Sequence, residues 1–184
     1  ESRVMMADLT FVPLLEKLAP NLPHIERYIL LTDAAHMPAS TTLPNAVPYE
    51  EWLADADGDF AWASFDENTA AGLCYTSGTT GEPKGVLYSH RSNVLHGMAC
   101  CVPDAFGLAA RDRVMPVVPM FHANAWSLAF STPIAGAALV MPGAKLDGAS
   151  VHQLLEEERV TFTAGVPTVW LMLLQHLEAT GARL

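Results

Sequence analysis

The sequence predicts an α/β fold, a sheet with helices packed against it. Three observations carry this: 184 residues at 51% hydrophobic content can bury a sizeable core; short β-favouring runs alternate with helical periodicity through the second half; and their spacing suits βαβ units.

In chain order, Phe11–Leu18 has helical spacing, with Phe11, Leu14, Leu15 and Leu18 expected on one face and Pro20 ending the helix. Tyr28–Leu31 reads as a buried strand. Pro38–Pro48, with three prolines among Ser, Thr and Asn, reads as an extended surface connection. The acidic run Tyr49–Ala70 should be irregular with one short helix. Leu73–Thr76 and Val86–Tyr88 are strand candidates, and Ser89 is placed to cap a helix from His90 that would turn Val94, Leu95, Met98 and Val102 inward. Next come a strand at Val114–Val118, a helix over Asn124–Ile134, a strand at Ala138–Met141, a helix over Ser150–Glu158, a strand at Thr161–Thr163 and a helix over Thr168–Ala179.

Ten Lys and Arg against twenty Asp and Glu give a net charge of −10, which argues against a nucleic-acid or anionic-membrane surface. No apolar run is long and unbroken enough to span a membrane. The odd set Cys74, Cys100 and Cys101, with its adjacent pair badly placed to bridge, suits a reducing compartment, so a soluble cytoplasmic protein is expected. His24, His36, His96, His152 and His176 show no metal-ligand spacing with these cysteines, and no metal site is expected within the chain.

The densest chemistry lies in Tyr75-Thr76-Ser77-Gly78-Thr79-Thr80-Gly81-Glu82-Pro83-Lys84-Gly85. Glycines let backbone N–H groups converge on an anion, hydroxyls add donors and the lysine supplies a point charge. Between Tyr28 and His90, Lys84 is the sole Lys or Arg. The run is not a Walker A loop, because Lys84 precedes Gly85 and the β-favouring Val86-Leu87-Tyr88 where that loop would open a helix. A strand-loop-strand clamp is expected.

This run resembles the phosphate-loop signature of the adenylate-forming superfamily, which includes acyl-CoA synthetases, peptide-synthetase adenylation domains and luciferases. Pro119-Met120-Phe121-His122-Ala123-Asn124-Ala125-Trp126 is similar to that family's second core motif, and Thr163-Ala164-Gly165-Val166-Pro167-Thr168-Val169-Trp170 to the segment walling its acyl pocket. With Tyr88-Ser89-His90-Arg91-Ser92, the whole resembles medium- or long-chain fatty-acid–CoA ligases most. The resemblance implies part of a large N-terminal α/β domain, with residues 1–72 as an N-terminal portion and 73–184 carrying the phosphate loop and acyl pocket. The downstream Tyr-Gly-x-Thr-Glu segment, whose Glu binds magnesium, the ribose-binding Asp motif and the C-terminal domain with its catalytic lysine do not occur. A piece of a longer protein, inactive alone, is expected.

The implied substrates and cofactors are ATP, Mg2+, CoA and a fatty acid or related carboxylate; a homodimer is left open. By the same resemblance, Thr76, Ser77, Gly78, Thr79, Thr80 and Gly81 would wrap the β- and γ-phosphates, and Lys84 would balance charge on departing pyrophosphate. His122 would stand where acyl carboxylate and α-phosphate meet, gating rather than moving a proton, since an ionised carboxylate needs no general base. Phe121, Trp126, Val166, Pro167 and Trp170 are candidates to wall the acyl tunnel, with Gly165 as a further substrate-binding candidate. Core packing explains Trp170 as well and Val166 better, while Gly165 is the stronger functional candidate, since a missing side chain leaves room for a ligand or for close backbone approach. Two other readings compete: adenylation of an aryl or amino acid, and a noncatalytic phosphate- or nucleotide-binding module. The second of these would need Gly-x-Gly-x-x-Gly opening a helix, if dinucleotide-binding, and none occurs.

Overall fold

The computed structural model describes residues 2–54, 56–76 and 81–184. They form two compact units, residues 1–63 and 64–184.

In the first unit, β1 (Val4–Ala7), β2 (Arg27–Leu30) and β3 (Ala46–Pro48) form a parallel sheet with β2 in the centre. Helix α1 (Val12–Leu18) links the first two strands after a short 3-10 turn, and α2 (Tyr49–Ala54) follows β3. Of the expected buried strand Tyr28–Leu31, Tyr28, Ile29 and Leu30 are buried, because a central parallel strand has no wet face, whereas Leu31 lies beyond the end of β2 and is exposed. The expected apolar face of α1 is corrected. Val12 and Leu15 enter the core with Ile25, Tyr28, Leu30 and Leu43, while Phe11, Leu14 and Leu18 stay exposed. The 3-10 turn delays the helix to Val12, and this sets Val12 and Leu15 three residues apart on the core side.

The proline-rich connection also differs from expectation by ending in β3. Glu16 on α1 anchors its approach, accepting from Thr41 Oγ1 at 2.9 Å and the Thr42 amide at 2.8 Å. These bonds, the Thr42 amide first, hold the Glu16 carboxyl below its usual range.

In the second unit, β4 (Ala70–Thr76) and β5 (Lys84–Ser89) pair antiparallel, which is the expected strand-loop-strand arrangement. Then follow α3 (His90–Cys100), β6 (Arg113–Pro116), a left-handed turn α4 (Ala123–Trp126), α5 (Leu128–Ala135), β7 (Ala138–Leu139), α6 (Gly148–Glu157), β8 (Phe162–Ala164) and α7 (Pro167–Thr180). Strands β7, β6 and β8 form a parallel sheet in that order. Consecutive β6 residues serve opposite faces. Val114 packs with Cys100, Leu108 and Leu128, whereas Met115 packs with Val140, Val151, Val169 and Leu173. Helices thus cover both sides of β6, with α5 on one and α6 and α7 on the other.

The inward face of α3 is corrected too. Val94, Leu95, Met98 and Val102 are exposed, and Gly97 and Cys100 are the buried residues. The reason is close helix packing: a Cβ on Gly97 would stand 2.5 Å from the flexible end of Ile134 and 3.6 Å from Ser131 Cα, so α5 lies directly over this point of α3. Burial pushes the Cys100 thiol pKa up. The helix expected over Asn124–Ile134 is split, because residues Ala123 to Ser127 all have positive φ.

Candidate functional site

The β4–β5 register sets Thr76 opposite Lys84 and Tyr75 opposite Gly85, so the last hydroxyl of β4 and the lysine of β5 flank the hairpin mouth. Ser77, Gly78, Thr79 and Thr80, the expected phosphate ligands, lie outside the described residues. Gly81 has φ +87°, and an added Cβ would meet no atom of the described residues within 4 Å, so among them its backbone is open on that side. Lys84 is exposed. A side chain on Gly85 would stand 3.0 Å from Leu73 Cδ1 and 3.6 Å from the Tyr75 ring, which keeps this position small beneath them.

Strand β5 runs directly into α3 through a capping box: the Ser92 amide donates to Ser89 Oγ and the Ser89 amide to Ser92 Oγ, both at 3.1 Å. His90 and Arg91 serve this junction. The His90 amide donates to the Thr69 carbonyl at 3.1 Å, the Arg91 amide to the Glu67 carbonyl at 2.8 Å, and the Arg91 guanidinium pairs with Glu67.

The second and third segments meet at the carboxyl end of the parallel sheet, where open α/β sheets place ligands. The Val117 and Val118 amides both donate to the Ala164 carbonyl at 2.9 Å, and Thr163 Oγ1 donates to the Met115 carbonyl at 2.8 Å. Beside them, Val117, Val118, Met120, Met141 and Leu146 line an apolar cavity of about 290 Å³. Gly165 leaves room for an indole: Trp170 Nε1 donates to the Gly165 carbonyl at 3.1 Å, and a Cβ on Gly165 would lie 2.8 Å from Trp170 Cζ2 and 3.2 Å from Val117 Cβ. Val166 caps α7 and stays exposed, with Pro167 at the first helical position, where its missing N–H costs nothing.

Phe121 is 79% exposed, and the His122 and Trp126 rings stand 6.5 Å apart, edge to face, across the left-handed turn. A hydrogen bond among the described residues joins this turn to the hairpin: Cys74 Sγ donates to Asn124 Oδ1 at 3.6 Å. A second cavity, of about 230 Å³, lies where Tyr88 and His96 face Asn124 and Ser127. Sequence reasoning gave no role to Cys74, Asn124 or Val117. Asn124 lay within a recognised segment and Cys74 just before another, but only the fold pairs them.

A family model described as "AMP-binding enzyme" matches residues 1–183. The chain belongs to the AMP-binding enzyme family. Over its full length it is 45% identical to a medium-chain-fatty-acid–CoA ligase of Ectopseudomonas oleovorans, covering 33% of that protein. It is equally 45% identical to a 3-methylmercaptopropionyl-CoA ligase of Ruegeria pomeroyi, covering 34%, and 42% identical to a long-chain-fatty-acid–CoA ligase of Thermus thermophilus, covering 32%. The chain therefore spans about a third of the length of the curated relatives it matches. Among solved structures, a long-chain-fatty-acid-CoA ligase from Archaeoglobus fulgidus superposes with a TM-score of 0.77 at 22% identity, over 97% of this chain and 33% of that one. The fold is that of the N-terminal domain of adenylate-forming enzymes.

Proposed function

We propose that this chain supplies the phosphate grip and acyl wall of an ATP-dependent fatty-acid–CoA ligase. The observation that carries the proposal is the pairing of Thr76 with Lys84 at the hairpin mouth, beside the open backbone of Gly81, in a chain 45% identical throughout to a medium-chain-fatty-acid–CoA ligase. Hydroxyl, open amide and ammonium together suit a polyphosphate. ATP supplies the α-phosphorus that a carboxylate oxygen attacks; the P–O bond to pyrophosphate breaks, and the CoA thiol later displaces AMP from the acyl carbon.

In this reading Lys84, with Thr76, Ser77, Gly78, Thr79, Thr80 and Gly81, holds the β- and γ-phosphates and neutralises the leaving pyrophosphate. A carboxylate is a poor nucleophile toward a polyanion, so charge neutralisation and in-line placement do most of the work. His122 meets the junction of carboxylate and α-phosphate. Phe121, Trp126, Val166 and Pro167 wall the acyl chain, and Gly165 shapes that wall by seating Trp170. Magnesium is assigned to the Glu of the Tyr-Gly-x-Thr-Glu segment that the resemblance implies for the full-length protein. The chain alone is proposed to form no acyl-AMP, since it lacks the Tyr-Gly-x-Thr-Glu segment. A cytoplasmic setting suits three free cysteines.

The test is thioester formation by the full-length protein with ATP, CoA and unbranched alkanoates of increasing length. An optimum within that series is expected. Pyrophosphate release with aryl or amino acids but not alkanoates would overturn the fatty-acid assignment.

A further inference from the structure

We propose that His152 on α6 and His176 on α7 form a two-imidazole site for a borderline divalent transition-metal ion of the zinc, nickel and copper class. The pair lies 24 positions apart in sequence, so no ligand spacing announces it, and the fold creates it. Gly148 lets α6 settle directly on α7: a Cβ there would overlap the Met172 carbonyl oxygen and stand 2.8 Å from His176 Cβ. One turn beyond Gly148 is His152, one turn beyond Met172 is His176, and their rings face each other with centroids 5.3 Å apart, inclined by 50°.

That separation matches a chelate. With metal–nitrogen bonds of about 2.0–2.1 Å and a ligating nitrogen roughly 1.1 Å from its ring centre, two imidazoles at a tetrahedral angle place their centroids about 5.2 Å apart. The tautomer of one ligand is also set. His152 Nε2 lies 3.3 Å from the Arg183 carbonyl oxygen. A carbonyl only accepts, so Nε2 is the donor, and the neutral ring then offers Nδ1 to a metal; this is the arrangement in which a metal-binding histidine is oriented by a backbone carbonyl behind it. Both residues are half-buried, so water can complete the coordination. Among the described residues no third ligand converges, and the site is bidentate. Nitrogen ligands favour the zinc, nickel and copper class over Mg2+, which prefers oxygen, so the site is separate from nucleotide chemistry and independent of the adenylation reading. Its effect would be to pin the end of α7 to α6.

The experiment is calorimetric titration of the tag-free full-length protein with Zn2+ at pH 7.5, in parent, His152→Gln, His176→Gln and His36→Gln. One equivalent of the same affinity is expected in the parent and in His36→Gln. Loss of either proposed ligand should weaken it by more than the roughly tenfold to hundredfold that outer-shell partners supply. Loaded with Cu2+, the parent should show two coupled nitrogens by electron paramagnetic resonance and His176→Gln one; equal melting temperatures in chelator would show that the variants fold. No Zn2+ binding by the parent, or parent affinity in both Gln variants, would overturn the site.

Discussion

Gly148→Ala is the sharpest test of the packing that holds the second unit together. In an unstrained helix, Gly→Ala stabilises by about 0.5–1 kcal/mol. Here the new methyl would overlap the Met172 carbonyl oxygen and lie 2.8 Å from both the Met172 carbonyl carbon and His176 Cβ. Two of these three are backbone atoms within α7, which cannot rotate away, so one helix must translate. Overpacking of this kind costs roughly 1–3 kcal/mol, and it exceeds the propensity gain. Gly97→Ala provides the contrast, because its methyl would meet Ile134 Cδ1 at 2.5 Å, and Ile134 is exposed enough to swing aside. The expected order of stability is Gly97→Ala at or above parent, then parent, then Gly148→Ala lower by about 1–2 kcal/mol. Urea midpoints at constant slope, with amide exchange localised to α6 and α7, would measure it. Parent-like stability in Gly148→Ala, or a larger loss in Gly97→Ala, would refute the packing argument.

Three further outcomes are expected. Lys84→Ala in the full-length protein should cut ATP–pyrophosphate exchange by about 10²–10³-fold with little change in unfolding midpoint, since a fixed charge facing a developing anion is lost; equal exchange in variant and parent would contradict the grip assigned to it. His122→Ala should shift the chain-length preference or the acyl-AMP yield, and an unchanged profile in both would remove it from the site. Asp147 caps α6, and the Ser150 amide, then the Ser150 hydroxyl, hold its carboxyl below the usual aspartate range. A depressed carboxyl contributes stability above its unfolded value and loses it as pH falls through the folded one. The stability gap between parent and Asp147→Asn should therefore shrink as pH is lowered from 6 through about 4 and below; a gap independent of pH would refute the cap's electrostatic share.

The parts legible in sequence are those whose signal is local. Ser89 caps α3 because a hydroxyl precedes a helical run, and Tyr28–Leu30 is buried because a central parallel strand reads as unbroken apolar sequence. Strand β3 was hidden among prolines, since its pairing with β2 is dictated by a neighbour eighteen residues away, not by its own composition. The face of α3 was misjudged because apolar spacing counts side chains, whereas the α5 contact is made where a side chain is missing, at Gly97. The same blindness hid Gly148 and the imidazole pair beyond it. Within the site, residue types were readable and their junctions were not: the Ala164 carbonyl shared by Val117 and Val118, and the Cys74–Asn124 contact, exist only once strands are ordered.

That ordering explains a conformation that would otherwise be unstable. Ala123, Asn124, Ala125, Trp126 and Ser127 all lie at φ between 45° and 67°, where an L-residue pays about 1–2 kcal/mol each relative to a right-handed turn. Such a run persists only if its surroundings over-determine it. Upstream, the Val117 and Val118 amides are fixed on β8; downstream, Leu128 is fully buried and Ser131 Oγ donates to the Ser127 carbonyl at 3.0 Å; in between, Ala125 is fully buried and Asn124 accepts from Cys74. Each anchor belongs to a different element, so relaxing the turn to right-handed would break contacts with the sheet, with α5 and with the hairpin together. The strained turn is what sets the His122 and Trp126 rings edge to face while Cys74 ties it to β4 of the hairpin. Strain held at this junction keeps the acyl side and the phosphate side of the proposed site in a fixed relation before either substrate arrives.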